Sequence, residues 1–356
     1  MISYIQNFFS SLYDLFNGEK CSNNSLRLVQ VIFRHGNRTN LTSATYKIDP
    51  YRFEQYYPYG VGQLTKEGKL KSYKMGQDLR KRYKQFLGDV YLNKMVEGIS
   101  SSKTRAQCSL LAALAGLCPP NKNEIFEKRL NWQPIPYNTL CEQQDKLFLK
   151  TDNEKFVKLY CELQKNPETM EILSRYCNIF SYLTDYTGQE IKTIKDSYFL
   201  YGCFKVEEEL GFVLPDWSCK VYPDPLHEMA LIFFTELTEN LEIKRLFTGY
   251  LMKFMVNEMN EKITDRQNNR KKMVLYSAHD LQVMCFLIAI GYCNIEIPPY
   301  AAYILVELHE IDNVFGVKVF YQNYKSSKPC QVKIKGKTFT PLDEFVCMIK
   351  DSFPKD

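Results

Sequence analysis

Long apolar runs are missing from this chain of 356 residues, although 45% of it is hydrophobic. No stretch of about 18 uninterrupted apolar residues occurs, so a membrane-crossing helix is not expected, and the charged ending at Lys355 and Asp356 argues against a hydrophobic anchor tail. Blocks of like charge are missing too. The net charge of +5 is spread thinly, which speaks against a nucleic-acid-binding arm or a polybasic membrane patch, while mild basicity suits an anionic small substrate. The N-terminus MISYIQNFFSSLYDLFNGEK has no basic leading region and no small-residue cleavage site, and Gln6, Asn7 and Asp14 interrupt it, so it does not read as a signal peptide. Its apolar residues recur at helical spacing and predict an amphipathic extension over 1–25 that docks on the body or lies on a surface, docking being the preferred reading. The twelve cysteines contain no CxxC pair and have no neighbouring His, hence no zinc pattern. Most are expected to be small buried hydrophobes, with some disulfides if the protein is exported. Histidine is scarce as well, at four residues.

What is present is a repeated strand–loop–helix design. The run Leu26 to Phe33 is short, apolar and β-rich and ends in the polar RHGNRTN, which predicts a buried strand feeding a loop. A helix follows from about Thr65 to Leu87. A second strand over Met95 to Ser100 leads through Lys103–Arg105 into an Ala/Leu-rich helix that Pro119 and Pro120 stop. Met273 to Tyr276 repeats the unit, with the loop Ser277-Ala278-His279-Asp280 and an apolar helix over Leu281 to Ile290. Tyr303 to Glu310 and Val314 to Asn323 alternate as two more strands around an Asp312-Asn313 turn. The middle, about 141–263, has helical periodicity. These signals predict an α/β fold, a mostly parallel sheet with helices on both faces, formed by 26–140 and 264–350, with 141–263 inserted as a helical cap. In such sheets ligands sit beyond the carboxyl ends of the strands, where the three polar loops would converge.

Two of the four histidines fall at those strand exits. Arg34, His35 and Arg38 lie within five residues of one another, and two guanidinium forks beside an imidazole suit a tetrahedral dianion. His279 stands beside Asp280 at an equivalent exit, a placement that core packing has no reason to require. His227 and His309 have no such neighbours and are expected at the surface or in hydrogen-bonded structural roles.

The series RHGNRTN, GQLTKEG, NWQPIP, SAHD and PPYA, in that order between about Leu28 and Phe345, resembles the histidine acid phosphatases. Its spacing is most similar to the secreted and lysosomal acid phosphatases of animals, with a likeness to arthropod venom acid phosphatase around LGDVY, CPPNK and LNWQPI. The resemblance implies the phosphoglycerate-mutase-like sheet and a role for each residue. His35 would be the nucleophile that forms a phosphohistidine. Arg34, Arg38, Arg105 and His279 would hold the phosphate oxygens, Arg105 being located by alignment through SSSKTRAQCSLLAAL. Asp280 would be the proton donor. Phosphoryl transfer needs an in-line nucleophile, positive charge around the equatorial oxygens and protonation of the leaving alkoxide, and each need then has a residue. A carboxyl that must carry a proton in the first step implies an acidic optimum. No metal or other cofactor is expected, because arginines supply the charge. The implied partner is a small phosphomonoester, relatives are often dimers, and the implied compartment is secreted or lysosomal.

The chain also departs from the family's pattern. Asn37 and Asn40 replace the Asp and Pro of RHGDRxP, altering the entrance and creating glycosylation acceptors at Asn37 and Asn40 beside that at Asn23. Ser102 stands where relatives carry an acid three residues before the arginine. Tyr303 and Thr340 occupy positions where relatives have cysteines, so Cys203 loses the partner that the resemblance implies. These changes motivate a second reading, a catalytically weak protein that binds phosphorylated ligands on the same scaffold; His35 and Asp280 argue for the enzyme. A narrower enzyme for inositol polyphosphates finds less support, since the middle segment is not conspicuously basic.

Overall fold

The run LRLVQVIF is the start of a central strand, β1 (Leu26–Arg34), in which every residue but Arg27 is buried. A computed structural model describes residues 25–51, 53–141, 144–148, 151–265 and 270–355. The amphipathic extension expected over 1–25 lies outside these residues except for Ser25. Helix α1 (Lys66–Arg82) starts where the sequence put it, with the Thr65 hydroxyl accepting from the Gly68 amide as N-cap. Strand β2 (Val96–Ser100) and helix α2 (Thr104–Leu117) form the second unit. Strand β4 (Met273–Ala278) and helix α9 (Asp280–Ala289) form the third. Between them come a short edge strand β3 (Tyr137–Thr139) and the helices α3 (Glu154–Leu163), α4 (Pro167–Arg175), α5 (Cys177–Thr187), α6 (Ile194–Glu209), α7 (Leu226–Glu239) and α8 (Tyr250–Thr264).

The sheet is parallel where the three units lie and antiparallel beyond them. Its order begins β3-β2-β4-β1, all parallel, and continues through β5 (Tyr303–Ile311), β6 (Val314–Gln322) and β7 (Cys330–Val332), which run antiparallel to their neighbours. A short β8 (Thr340–Pro341) pairs with β6 and leads into α10 (Leu342–Ile349). The β5–β6 hairpin turns at Asp312 and Asn313, both with positive φ (49° and 64°), the conformation a two-residue hairpin favours.

Alternation along β1 sends Leu28 and Ile32 to one face and Val29, Val31 and Phe33 to the other. On the second face α1 and α2 cover the sheet, in backbone contact: a Cβ on Gly76 would stand 2.0 Å from the Ala113 carbonyl oxygen. On the first face the residues of α3 and α5–α10 join the sheet in one continuous apolar cluster. The helices predicted for the middle segment therefore pack directly onto strands.

One expectation about cysteine is corrected. Only Cys118, Cys203 and Cys285 are buried among the described cysteines; the others are exposed, with free thiols, because they fall on the solvent sides of helices and loops. No disulfide joins any described cysteine. Nor would a cysteine at position 303 pair with Cys203, since Tyr303 packs on the α1–α2 face and Cys203 on the opposite one.

Candidate active site

Parallel pairing decides which loops meet. Arg34 lies opposite Ala278 in the β1–β4 register, and Ser100 opposite Ser277 in the β2–β4 register, so three strand exits open at the same end of the sheet. The His35 amide continues the ladder by donating to the Ala278 carbonyl (3.2 Å), as the Ser101 amide does to that of Ser277 (3.0 Å). Helices α2 and α9 begin there, so their partly positive amino ends add to an anion-attracting field. The exits floor a cleft of about 630 Å3.

Residues far apart in sequence lock the first loop in place. The Thr65 amide donates to the Asn37 carbonyl (2.9 Å), the Thr39 amide to that of Gln63 (3.0 Å), and the Gly62 amide to that of Asn40 (2.7 Å). RHGNRTN and GQLTKEG are thus two strands of one clasp. Their glycines touch: a Cβ on Gly36 would lie 2.2 Å from the Gly68 oxygen, and one on Gly68 2.2 Å from the Asn37 oxygen. The Ser109 hydroxyl accepts from the Gly36 amide (3.0 Å) and donates to the Arg105 carbonyl (2.7 Å), tying the loop to α2.

The six residues singled out in the sequence, Arg34, His35, Arg38, Arg105, His279 and Asp280, all line this cleft. His35 is buried, and its Nδ1 stands 2.8 Å from the Gly36 carbonyl, an acceptor only, so Nδ1 carries the proton and Nε2 presents a lone pair. Arg105 Nε donates to that Nε2 at 3.1 Å. Burial, then Arg105, His279, Arg34 and Arg38, hold the imidazole well below the ordinary histidine range, so it stays neutral in acid. Arg34 reaches Asp280 with Nη2 (2.8 Å), donates through Nη1 to the Pro298 carbonyl, and lies 4.0 Å from the centre of the Tyr300 ring. Arg105 and Arg38 form no ion pair among the described residues. Burial, and then Arg38, push the pKa of Arg105 down to about 10. A neutral imidazole facing uncompensated guanidinium groups, with a carboxyl at the cleft edge, is a binding site for a tetrahedral anion that can also attack it.

Residues 25–322 match the model of the histidine phosphatase superfamily, branch 2. The chain belongs to this superfamily. Its relatives include venom acid phosphatase Acph-1 of Apis mellifera, 31% identical over 93% of this chain and 86% of that protein. Prostatic acid phosphatase of Bos taurus is 32% identical over 98% and 90%, and lysosomal acid phosphatase of Homo sapiens 31% identical over 93% and 79%. Among solved structures, the phytase of Hafnia alvei in complex with myo-inositol hexakis sulphate aligns with a TM-score of 0.68 at 16% identity, covering 93% of this chain and 97% of that one. That likeness is one of fold. Members of this histidine phosphatase family work through a phosphohistidine, and no described helix is long and apolar enough to cross a membrane.

Four residues of this histidine phosphatase site were not singled out in the sequence. Ser101, buried beyond β2, stands 3.0 Å from His279 Nε2. Tyr300 packs under Arg34, and its place in PPYA was the available signal. Tyr198 reaches Asp280 from α6, and Glu209 of the same helix accepts from the Asn37 side chain (2.8 Å). Nothing in helical periodicity marks these last two. Of the other histidines, His309 is fully buried between Ser25 and Glu307, a hydrogen-bonded structural role, whereas His227 lies at the cleft's edge near Asp224.

Proposed function

We propose that the chain is an acid phosphatase that hydrolyses phosphate monoesters through a phosphohistidine on His35. The observation that carries this is the neutral tautomer of His35, with Nδ1 donating to Gly36 and Nε2 turned toward Arg105. In this reading Arg34, Arg38, Arg105 and His279 take the equatorial oxygens, and Nε2 attacks phosphorus opposite the leaving oxygen. Protonated Asp280 delivers its proton to the departing alkoxide. The resulting carboxylate then takes a proton from water as that water attacks the phosphohistidine, releasing phosphate and restoring neutral His35. Arg34, on Asp280, positions the acid. Segment 141–263 serves as a cap: Tyr198, Lys205 and Glu209 on α6 form one wall of the cleft, supporting a role in substrate choice. The lysosomal, prostatic and venom settings of the relatives support an acidic, exported working compartment.

The test compares wild type, His35→Ala and Asp280→Asn on an aryl and an alkyl phosphate from pH 4 to 8. Acid-optimal turnover, absent in His35→Ala and lost by about 10²-fold or more on the alkyl ester in Asp280→Asn but far less on the aryl ester, is expected, since a good leaving group needs little protonation. Wild type without turnover but with phosphate-protected folding would instead establish a binding protein.

A further inference from the structure

Behind the entrance loop lies a second polar cluster that the phosphatase chemistry does not use. Asp49, Cys203 and Glu207 are buried, at 2%, 0% and 0% exposure, and each offers a ligand atom within 4.8 Å of the others. Cys203 Sγ is 3.1 Å from Glu207 Oε1 and 3.7 Å from Asp49 Oδ2. The other Asp49 oxygen, Oδ1, accepts from the Tyr51 amide, which fixes the carboxylate so that Oδ2 faces the thiol. Asn40, at 0% exposure, closes the cluster: its side-chain amide stands 3.1 Å from Cys203 Sγ and 3.2 Å from Glu207 Oε1.

Polar atoms within this group have no hydrogen-bond partner: Asn40 Oδ1, Glu207 Oε2 and the hydroxyls of Tyr46 and Tyr56, all on residues at least nine-tenths buried. Such orphans each cost about 1–3 kcal/mol unless something else satisfies them. The Tyr56 hydroxyl neighbours Asn40. The oxygen and nitrogen of an asparagine amide exchange places on a half-turn, and that turn puts Oδ1 against the thiol and carboxylate. A thiolate and two carboxylates, within 4.8 Å of one another, then have an amide oxygen against the sulfur and one carboxylate. Around a tetrahedral ion with bonds of about 2.0–2.3 Å, neighbouring ligand atoms stand about 3.3–3.8 Å apart. Of the observed sulfur–oxygen distances, 3.7 Å falls within that spacing and 3.1 Å just short of it. A sulfur among oxygens selects a borderline ion over magnesium or calcium.

We propose that Asp49, Cys203, Glu207 and Asn40 hold one divalent cation of the zinc class, as a structural clamp. The ion joins the loop that carries Arg38 to helix α6, whose Glu209 already holds Asn37. It gives a use to the departure at position 40, where the proline of relatives has no side-chain oxygen to offer. Linear spacing had excluded a zinc pattern because the donors come from three separate segments and one is an amide. Binding displaces the thiol proton, and any proton the carboxyls share, to solvent.

The inference is independent of the phosphatase reading and is tested on the full chain. Exposed thiols are first alkylated under native conditions, which leaves the buried Cys203 untouched. The protein is then stripped with a chelator and titrated with Co2+. A thiolate-to-cobalt charge-transfer band that saturates at one equivalent and is displaced by Zn2+ is expected. No band at millimolar Co2+ overturns the proposal in wild type alone, whatever the variants do. In Glu207→Gln, which keeps the side chain's shape, cobalt affinity should fall at least about tenfold and the zinc-induced rise in Tm should vanish. Unchanged affinity there, or an unchanged band in a folded Cys203→Ser, would place the ion elsewhere and sink the assignment.

Discussion

Replacing Arg105 by methionine separates what this residue does for phosphate from what it does for the fold. Without ligand the guanidinium is partly buried, donates to His35 Nε2 at 3.1 Å and makes no ion pair among the described residues. Its pKa, pushed down to about 10, corresponds to at most ~3 kcal/mol of penalty on the charged form, less after solvent screening. Methionine keeps much of the stem's volume, removes the charge that repels Arg38, and gives up one hydrogen bond of about 1 kcal/mol. Phosphate-free stability should therefore stay level or rise by ~1 kcal/mol, a Tm gain of a few degrees at most. Function should move the other way. Loss of one charge-assisted partner from the transferring phosphoryl group costs about 10²–10³ in kcat/KM, and protection by inorganic phosphate should weaken at least ~10-fold. Thermal melts with and without phosphate, beside steady-state hydrolysis of a chromogenic ester, read both quantities. A Tm lowered by several degrees with activity within ~10-fold of wild type would refute the reasoning and make Arg105 a structural helix-start residue.

Three further outcomes follow from the geometry. His35 has a depressed pKa in the fold, so below about pH 6.5 the unfolded chain takes up a proton that the native state refuses, and stability falls as pH drops toward the folded value. Denaturant titrations at pH 6.5 and 5 should show wild type losing ~1.5 kcal/mol more than His35→Gln, and equal losses would contradict a neutral buried imidazole. Gly36→Ala places a methyl 2.2 Å from a backbone oxygen that cannot yield, so destabilisation near the upper end for overpacking, about 3 kcal/mol, should appear as a shifted denaturation midpoint with lost phosphate protection. Asn37 and Asn40 are buried with their amides engaged, so peptides spanning both should carry no glycan after expression in a secretory host; mass spectrometry showing occupancy would mean the loop folds after modification.

Much of the fold was legible because the decisive signals are local. An apolar run that ends in polar residues gave β1, and Thr65 before an amphipathic stretch gave the start of α1. Arg34, His35, His279 and Asp280 could be placed because strand exits are where such a sheet exposes side chains, and Arg105 came from alignment alone. What stayed hidden depends on long-range packing. Tyr198 and Glu209 matter only because α6 lies over the cleft, and Ser101 only because β2 sits beside β4. The cysteine expectation failed for a related reason: a residue type's average burial says nothing about which side of its own helix it occupies.

The position of β1 has a consequence for synthesis. Val29 pairs with Met273 on one edge and with Glu307 on the other. At ribosomal speeds of about 5–20 residues per second, β1 waits roughly 10–50 s for its first neighbour and longer for its second. During that interval it is an apolar strand with two open edges, the kind of segment that pairs with other chains. Protection by a chaperone or by transient contacts is needed until residue 273 and beyond emerge. The pairing that covers the first of these edges also brings His35 to Asp280, so the nascent chain buries an open edge and acquires its site together, once residues 273–280 have emerged.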